Sequence, residues 1–206
     1  MLNDKERRGF LFVISSPSGG GKTTIYKALL AIGNPFAFSI SVTTRKPRKG
    51  EIDGIHYHFI DDQQFTSMIE NDELAEWAEV HGYHYGTPRV FVEEAFMEGK
   101  IMILEIDVQG AMQLKEHYGR DAVLVFIAPP SIKETERRLR ARASNEENDI
   151  AVRLNNAKDE IKKINEFDYL VFNNELDDAI SDVTAIAQAE HLSYHRFSSK
   201  LWPENE

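Results

Sequence analysis

The sequence predicts an α/β fold: a P-loop parallel sheet covered by helices on both faces, with an inserted small strand-rich domain. Three observations carry that prediction. Apolar runs alternate with stretches of helical spacing, the pattern of strands buried on both faces. The first run leads through a glycine-rich turn into a helix. Residues 36–87 break the alternation and read as strand-rich and antiparallel.

Phe10-Leu11-Phe12-Val13-Ile14 is the first buried strand. Ser16-Pro17-Ser18-Gly19-Gly20-Gly21-Lys22-Thr23 follows, and Thr24–Leu30 is helical with Ile25, Leu29 and Leu30 on one side. Strand, glycine turn, Gly-Lys-Thr and helix is the order of a phosphate-binding P-loop. Glycines let several backbone N–H groups converge on one anion. The helix start adds unpaired N–H groups and a positive dipole end. Lys22 brings a point charge to the β- and γ-phosphates, and the Thr23 hydroxyl can ligate Mg²⁺. The motif ordinarily opens on glycine, and Ser16 stands there instead; the inner glycines sit closest to the phosphate.

Phe38–Val42 and Gly54–Ile60 predict two strands around a basic turn. Asp61-Asp62 caps a helix carrying Phe65, Met68 and Ile69. Leu74–Val80 alternates as a strand, and Tyr83–Thr87 pairs back on it. Pro88 opens a helix to about Glu98, with Val92, Ala95 and Phe96 inward. Ile101–Leu104 is a buried strand running into Glu105-Ile106-Asp107, followed by a helix over Gln109–His117. Ala122–Ala128 is the next strand, stopped by Pro129-Pro130. A basic helix from Ser131 to Ala143, a polar break at 144–148 and a helix to about Asn165 lead to the strand Tyr169–Phe172 and a closing helix over 175–195. Ligands of open parallel sheets lie at the carboxyl ends of the strands. That rule gathers the glycine turn, Asp107 and Asn173 on one edge.

Composition narrows the function. With 24 Lys+Arg against 34 Asp+Glu the formal net charge is −10, which argues against general nucleic-acid binding. An anionic ligand then needs positive charge concentrated locally, as it is at 45–49 and 137–142. The absence of cysteine excludes disulfides, thiolate metal sites and cysteine nucleophiles. No apolar run reaches membrane-spanning length, and the charged N-terminus lacks the apolar core of a secretory signal. The expected location is the cytoplasm, with no membrane partner; oligomeric state is left open. His56, His58, His81 and His84 have no metal-ligand spacing.

Three further blocks join the glycine turn: Ser41-Val42-Thr43-Thr44-Arg45-Lys46-Pro47-Arg48-Lys49-Gly50-Glu51 with Tyr57; Glu76-Trp77 with Tyr85-Gly86-Thr87; and Leu104-Glu105-Ile106-Asp107-Val108-Gln109-Gly110. Together they resemble the guanylate kinase family, in order and over about residues 9–190. The resemblance implies transfer of the γ-phosphoryl of ATP to GMP, and also to dGMP, within purine nucleotide metabolism, with Mg²⁺ accompanying ATP. It implies a nucleotide-binding core of residues 1–34, 99–130 and 166–206, a GMP-binding domain over 35–98 and a lid over 131–165.

Residue by residue, Arg45, Arg48, Tyr57 and Tyr85 match the family's holders of the GMP phosphate. Ser41, Glu76, Thr87 and Asp107 match its readers of guanine. Arg138, Arg142 and Arg153 match arginines that close over ATP and, with Lys22 and Arg45, form the expected catalytic set. Ser16 to Thr23 and Asn173 match the ATP side, Thr23 being the direct Mg²⁺ ligand and Glu105 acting through water. Ala141 and Ala143 replace glycines of the family pattern. Elementary chemistry agrees with the base assignment. Guanine's pairing edge offers N1–H and N2–H₂ donors, which an ionised carboxylate accepts and which adenine lacks at N1.

Each residue alone has a plainer reading: a solvated basic turn at 45–49, an exposed strand carboxylate at Glu76, core tyrosines, and a helix face in which Arg137 and Arg140 balance Glu134 and Glu136. Two rival functions are a non-catalytic interaction module of the same fold and a kinase for another nucleoside monophosphate. The intact Gly-Lys-Thr and the arginines oppose the first; the Glu76/Asp107 pair opposes the second.

Overall fold

A computed structural model describes residues 7–17, 20–80, 82–141 and 147–197. Ser18, Gly19 and Arg142, all expected site residues, lie outside the described residues.

Two sheets organise the chain. The larger has five parallel strands in the order β2-β7-β1-β8-β9. These are β1 (Phe10–Ser15), β2 (Phe36–Phe38), β7 (Ile101–Glu105), β8 (Ala122–Ala128) and β9 (Tyr169–Phe172). β1 and β8 are buried at every residue, which is why their sequences are apolar without alternation. On one face Phe10, Phe12, Ile14, Ile103 and Val125 pack against Ile25 and Leu29 of α1 (Lys22–Ile32) and Ala179, Val183 and Ala187 of α7 (Leu176–His191). On the other, Leu11, Val13, Leu104 and Leu124 pack against Val92 and Ala95 of α3 (Arg89–Met97) and Ala111 and Leu114 of α4 (Val108–Tyr118). Helices therefore cover both faces, as expected. Among the described residues no helix is long and apolar enough to cross a membrane.

The smaller sheet has the order β4-β3-β6-β5, from β3 (Val42–Thr43), β4 (His58–Phe59), β5 (Leu74–Val80) and β6 (Tyr83–Pro88). β5 and β6 form the expected antiparallel pair. α2 (Asp62–Glu70) closes it, with Asp61 and Gln64 forming a reciprocal capping box.

Two expectations need correction here. Residues 36–38 do not belong to the inserted block: β2 pairs in parallel with β7 in the large sheet. Phe38 stacks on Tyr26 of α1 at 4.7 Å, so the strand is held by the main core. The block is also not wholly antiparallel. β3 and β4 pair in parallel, Val42 with His58 and Thr43 with Phe59. The connection over 44–57 is long enough to bring the chain back in the same direction. Its fold is pinned from within: Arg45 is 7% exposed and ion-paired to Glu51, Gly54 N–H donates to Tyr57 O at 2.8 Å, and Phe59 N–H to Asp53 Oδ1 at 2.8 Å.

α5 (Ile132–Ala141) and α6 (Glu147–Ile161) follow β8. Arg137 pairs with Glu134 and Arg140 with Glu136, so these two arginines follow the plainer reading.

Candidate active site

The carboxyl ends of β1 and β7 open on one cleft, with a cavity of about 630 Å³ lined by the glycine turn, Lys22, Thr23, Ser41, Arg48, Tyr57, Glu105 and Arg153. Gly21 takes φ 97°, a left-handed conformation that costs glycine little, and α1 starts at Lys22. Ser16 is buried and its Oγ donates to Pro17 O at 3.0 Å. A Cβ on Gly20 would collide with that side chain, so Ser16 and Gly20 fit as a pair. Lys22 Nζ donates to Ser16 O at 3.0 Å, folded over the turn it is expected to serve.

Thr23 Oγ1 donates to Glu105 Oε1 at 3.2 Å. A hydroxyl and a carboxylate side by side at a phosphate cradle are hard oxygen donors. They suit a Mg²⁺ ion whose remaining shell is phosphate and water.

Within the basic turn Arg45 is buried, while Lys46, Arg48 and Lys49 are exposed, as the plainer reading has them. Arg45 Nη1 and Nη2 donate to Glu51 Oε2 and Oε1, both at 2.9 Å; Nη1 also donates to Lys46 O at 2.8 Å and Nε to Tyr85 Oη at 3.2 Å. The Arg45 guanidinium, then the Arg48 N–H at 2.6 Å, hold the Glu51 carboxyl below its ordinary range. Burial first, and Glu105 second, push the Tyr57 hydroxyl up to about 12, so it stays a hydrogen-bond donor at any physiological pH.

A second cavity, about 200 Å³, joins the small sheet to this cleft. Lys22, Ser41, Tyr57, Glu76, Tyr85, Glu105 and Asp107 line it. Glu76 is 3% exposed and accepts from Thr87 Oγ1 at 2.6 Å. Burial, and then the charge of Asp107, raise its carboxyl to about 7 against the pull of Thr87. Thr87 thus acts through Glu76: its hydroxyl hydrogen orients the carboxylate. Asp107 caps α4, accepting from Gly110 N–H at 3.1 Å. Gln113 of α4 holds both backbone groups of Trp77, which fixes β5 and its Glu76 against the start of that helix.

A Cβ added to Gly110 would clash with Glu76 Oε2. Gly110→Ala is therefore expected to displace the carboxylate and raise the KM for the acceptor nucleotide roughly tenfold or more, a loss of at least about 1.4 kcal/mol. ATP affinity should hold within about twofold. Steady-state kinetics with each substrate varied in turn checks this.

On the outer side of the turn, Arg138 and Asn173 line a cavity of about 390 Å³ with Gly21 and Thr24. Arg138 Nε donates to Glu134 at 2.8 Å and its Nη2 to Asn173 O at 3.4 Å. Asn173 Nδ2 donates to Gly20 O at 2.8 Å, which gives Asn173 the task of bracing the turn. Arg153 borders the large cleft and a fourth cavity, about 270 Å³, with Asp107, Gln109 and Glu160.

Two residues escaped the sequence reading. Glu51 was visible only as the end of a basic block; a carboxylate six residues from an arginine inside that block was the available signal. Glu160 lies seven positions after Arg153 on one helix, hence on the same face, and that spacing was its signal.

Comparison with known proteins gives the same picture. The family model described as Guanylate kinase matches residues 8–190. Over 190 residues the chain is 47% identical to a guanylate kinase of Sphingopyxis alaskensis, covering 92% of this chain and 86% of that one. It is 50% identical to one of Rhizobium meliloti, covering 92% and 87%. A crystal structure of guanylate kinase from Anaplasma phagocytophilum superposes with a TM-score of 0.78 at 34% identity, covering 93% of this chain and 90% of that one. A match at close to half identity that runs through every element of the cleft places the chain in the guanylate kinase family.

Proposed function

We infer that this chain transfers the γ-phosphoryl of ATP to GMP, giving ADP and GDP. One observation carries the reading: Glu76 and Asp107 share a cavity with Lys22, so carboxylates suited to guanine lie within one nucleotide's length of the phosphate cradle. The glycine turn, Lys22 and Thr23 take the triphosphate. Arg45, Arg48, Tyr57 and Tyr85 take the acceptor phosphate. Four of the five Arg45 N–H groups are already committed, to Glu51, Lys46 and Tyr85. The phosphate meets the remaining Nη2 hydrogen of a guanidinium whose plane is fixed in advance. Ser41, Glu76 and Asp107 meet the base, and Thr87 holds Glu76 in place.

The acceptor oxygen is already ionised near neutral pH, so no general base is required. The barrier lies in bringing two polyanions into line, and positioning plus charge neutralisation lower it. Lys22 and Arg45, with Arg138, Arg142 and Arg153 closing from the 131–165 lid, supply that charge. Mg²⁺ held at Thr23, and through water at Glu105, would neutralise the β- and γ-oxygens when bound. The acceptor-binding part then begins after Phe38 and runs to about residue 98. Its approach, with that of the lid, excludes water from the transfer. The surplus of negative charge fits a nucleotide enzyme of the cytoplasm that shuns nucleic acid.

Release of ADP, measured with GMP, AMP, UMP and dTMP in turn, tests the assignment. Turnover with GMP alone is expected. Equal turnover with AMP would refute guanine recognition, and binding without turnover on any acceptor would leave an interaction module.

A further inference from the structure

We propose that Glu160 contacts the acceptor nucleoside directly and sets specificity at its sugar side, as a hydrogen-bond acceptor for the ribose 2′-hydroxyl or the second 2-amino hydrogen. The proposal rests on the GMP reading above and adds a residue to it.

Three observations lead here. Glu160 Oε2 is buried and has no hydrogen-bond partner among the described residues. A buried carboxylate oxygen in that state calls for a donor, because an unsatisfied acceptor carries its full desolvation cost. Second, the cavity that Glu160 lines shares Val80 and Asp107 with the guanine cavity, so the two spaces meet at the residue expected to take the 2-amino group. Third, Glu160 sits close enough to Lys22 and Asp107 to feel both charges. Asp107 and Arg153, which line that cavity with it, also border the guanine cavity and the large cleft. Burial, countered by Lys22 and reinforced by Asp107, raises its carboxyl to about 7, in keeping with a group that awaits a donor.

The chemistry of guanosine orders the contacts. Along one edge of the nucleoside come N1–H, the 2-amino group, the acceptor N3 and then the ribose 2′-hydroxyl. Glu76 and Asp107 suit the first two. A third carboxylate beyond Asp107 meets the donors that remain: the outer 2-amino hydrogen or the 2′-hydroxyl. Arg153 and Glu160 share one face of α6, seven residues apart. A donor bound at Glu160 therefore ties to the acceptor the same helix that carries an arginine toward ATP.

The test measures kcat/KM for GMP, dGMP and IMP with the wild type, Glu160→Gln and Glu160→Ala, with the melting temperature of each variant as a control on folding. If the 2′-hydroxyl is the donor, Glu160→Ala lowers kcat/KM for GMP roughly tenfold or more and leaves dGMP unchanged within about twofold. If the 2-amino group is the donor, IMP is the acceptor left unchanged. Equal losses on all three acceptors, or no loss on any, would overturn the proposal. Failure of the wild type to phosphorylate GMP would instead refute the parent reading, so the two outcomes are separable.

Discussion

Replacing Lys22 by methionine is expected to lower kcat by about 10²–10³ while leaving the fold and most of the ATP affinity in place. The magnitude is that of removing one group aimed at charge developing in a water-poor site. The structure separates this loss from damage to the cradle. Among the described residues the Lys22 side chain makes one hydrogen bond, to Ser16 O, whereas the turn is braced independently by Asn173 on Gly20 O and by Gly20 N–H on Pro17 O at 2.9 Å. Methionine keeps the apolar stem and can continue the first turn of α1. Its backbone N–H groups remain to meet phosphate. Single-turnover kinetics beside a titration of ATP binding decide it. A variant within about threefold of wild-type kcat would remove Lys22 from the chemistry.

The parts of the molecule that could be read from the chain are those fixed by local pattern. β1, the glycine turn and α1 announce themselves because strand, turn and helix follow one another in 23 residues, from Phe10 to Ile32. Asp61 with Gln64 is equally local. The split of the 36–43 segment was not legible. Phe36, Phe38 and Val42 have the spacing of one strand, and only the stacking of Phe38 on Tyr26 and its pairing with Ile103 assign its first half to the large sheet. The parallel pairing of β3 with β4 escaped for a related reason: it depends on how the 44–57 loop folds around the Arg45–Glu51 pair, and a buried ion pair leaves no periodic trace. Resemblance to a family named the residues expected to read the base. It did not reveal that Thr87 donates to Glu76, that Asn173 braces the turn, or that Glu160 lines a cavity with Asp107. Those roles come from side chains meeting at long sequence separation.

Glu76→Gln should disable the enzyme and stabilise the protein, an outcome that a merely structural carboxylate would not give. In the native state Glu76 is buried beside Asp107, and its carboxyl is raised from 4.5 to about 7. The folded chain therefore holds a proton that the unfolded chain has lost across that interval. Stability falls as pH rises from about 4.5 to 7 and is level above it. At 1.36 kcal/mol per unit, ionising Glu76 in place costs at most about 3.4 kcal/mol. Glutamine keeps an acceptor for Thr87 Oγ1 and carries no charge toward Asp107. Once the burial of its amide is subtracted, a gain of about 1–2 kcal/mol at pH 8 remains, and it should vanish near pH 4. Chemical denaturation of both proteins at the two pH values measures it. For catalysis the amide is the wrong group, because its NH₂ faces the guanine donors. kcat/KM for GMP should fall by about 10²–10³ in line with the rejection of a mismatched polar partner. Wild-type affinity for GMP should itself weaken below pH 7, where the proton on Glu76 must leave before the base can bind, and the variant should lose the part of that dependence that Glu76 carries. A variant that binds GMP normally, or that is less stable at pH 8 than at pH 4 relative to wild type, would show that Glu76 faces something other than the base.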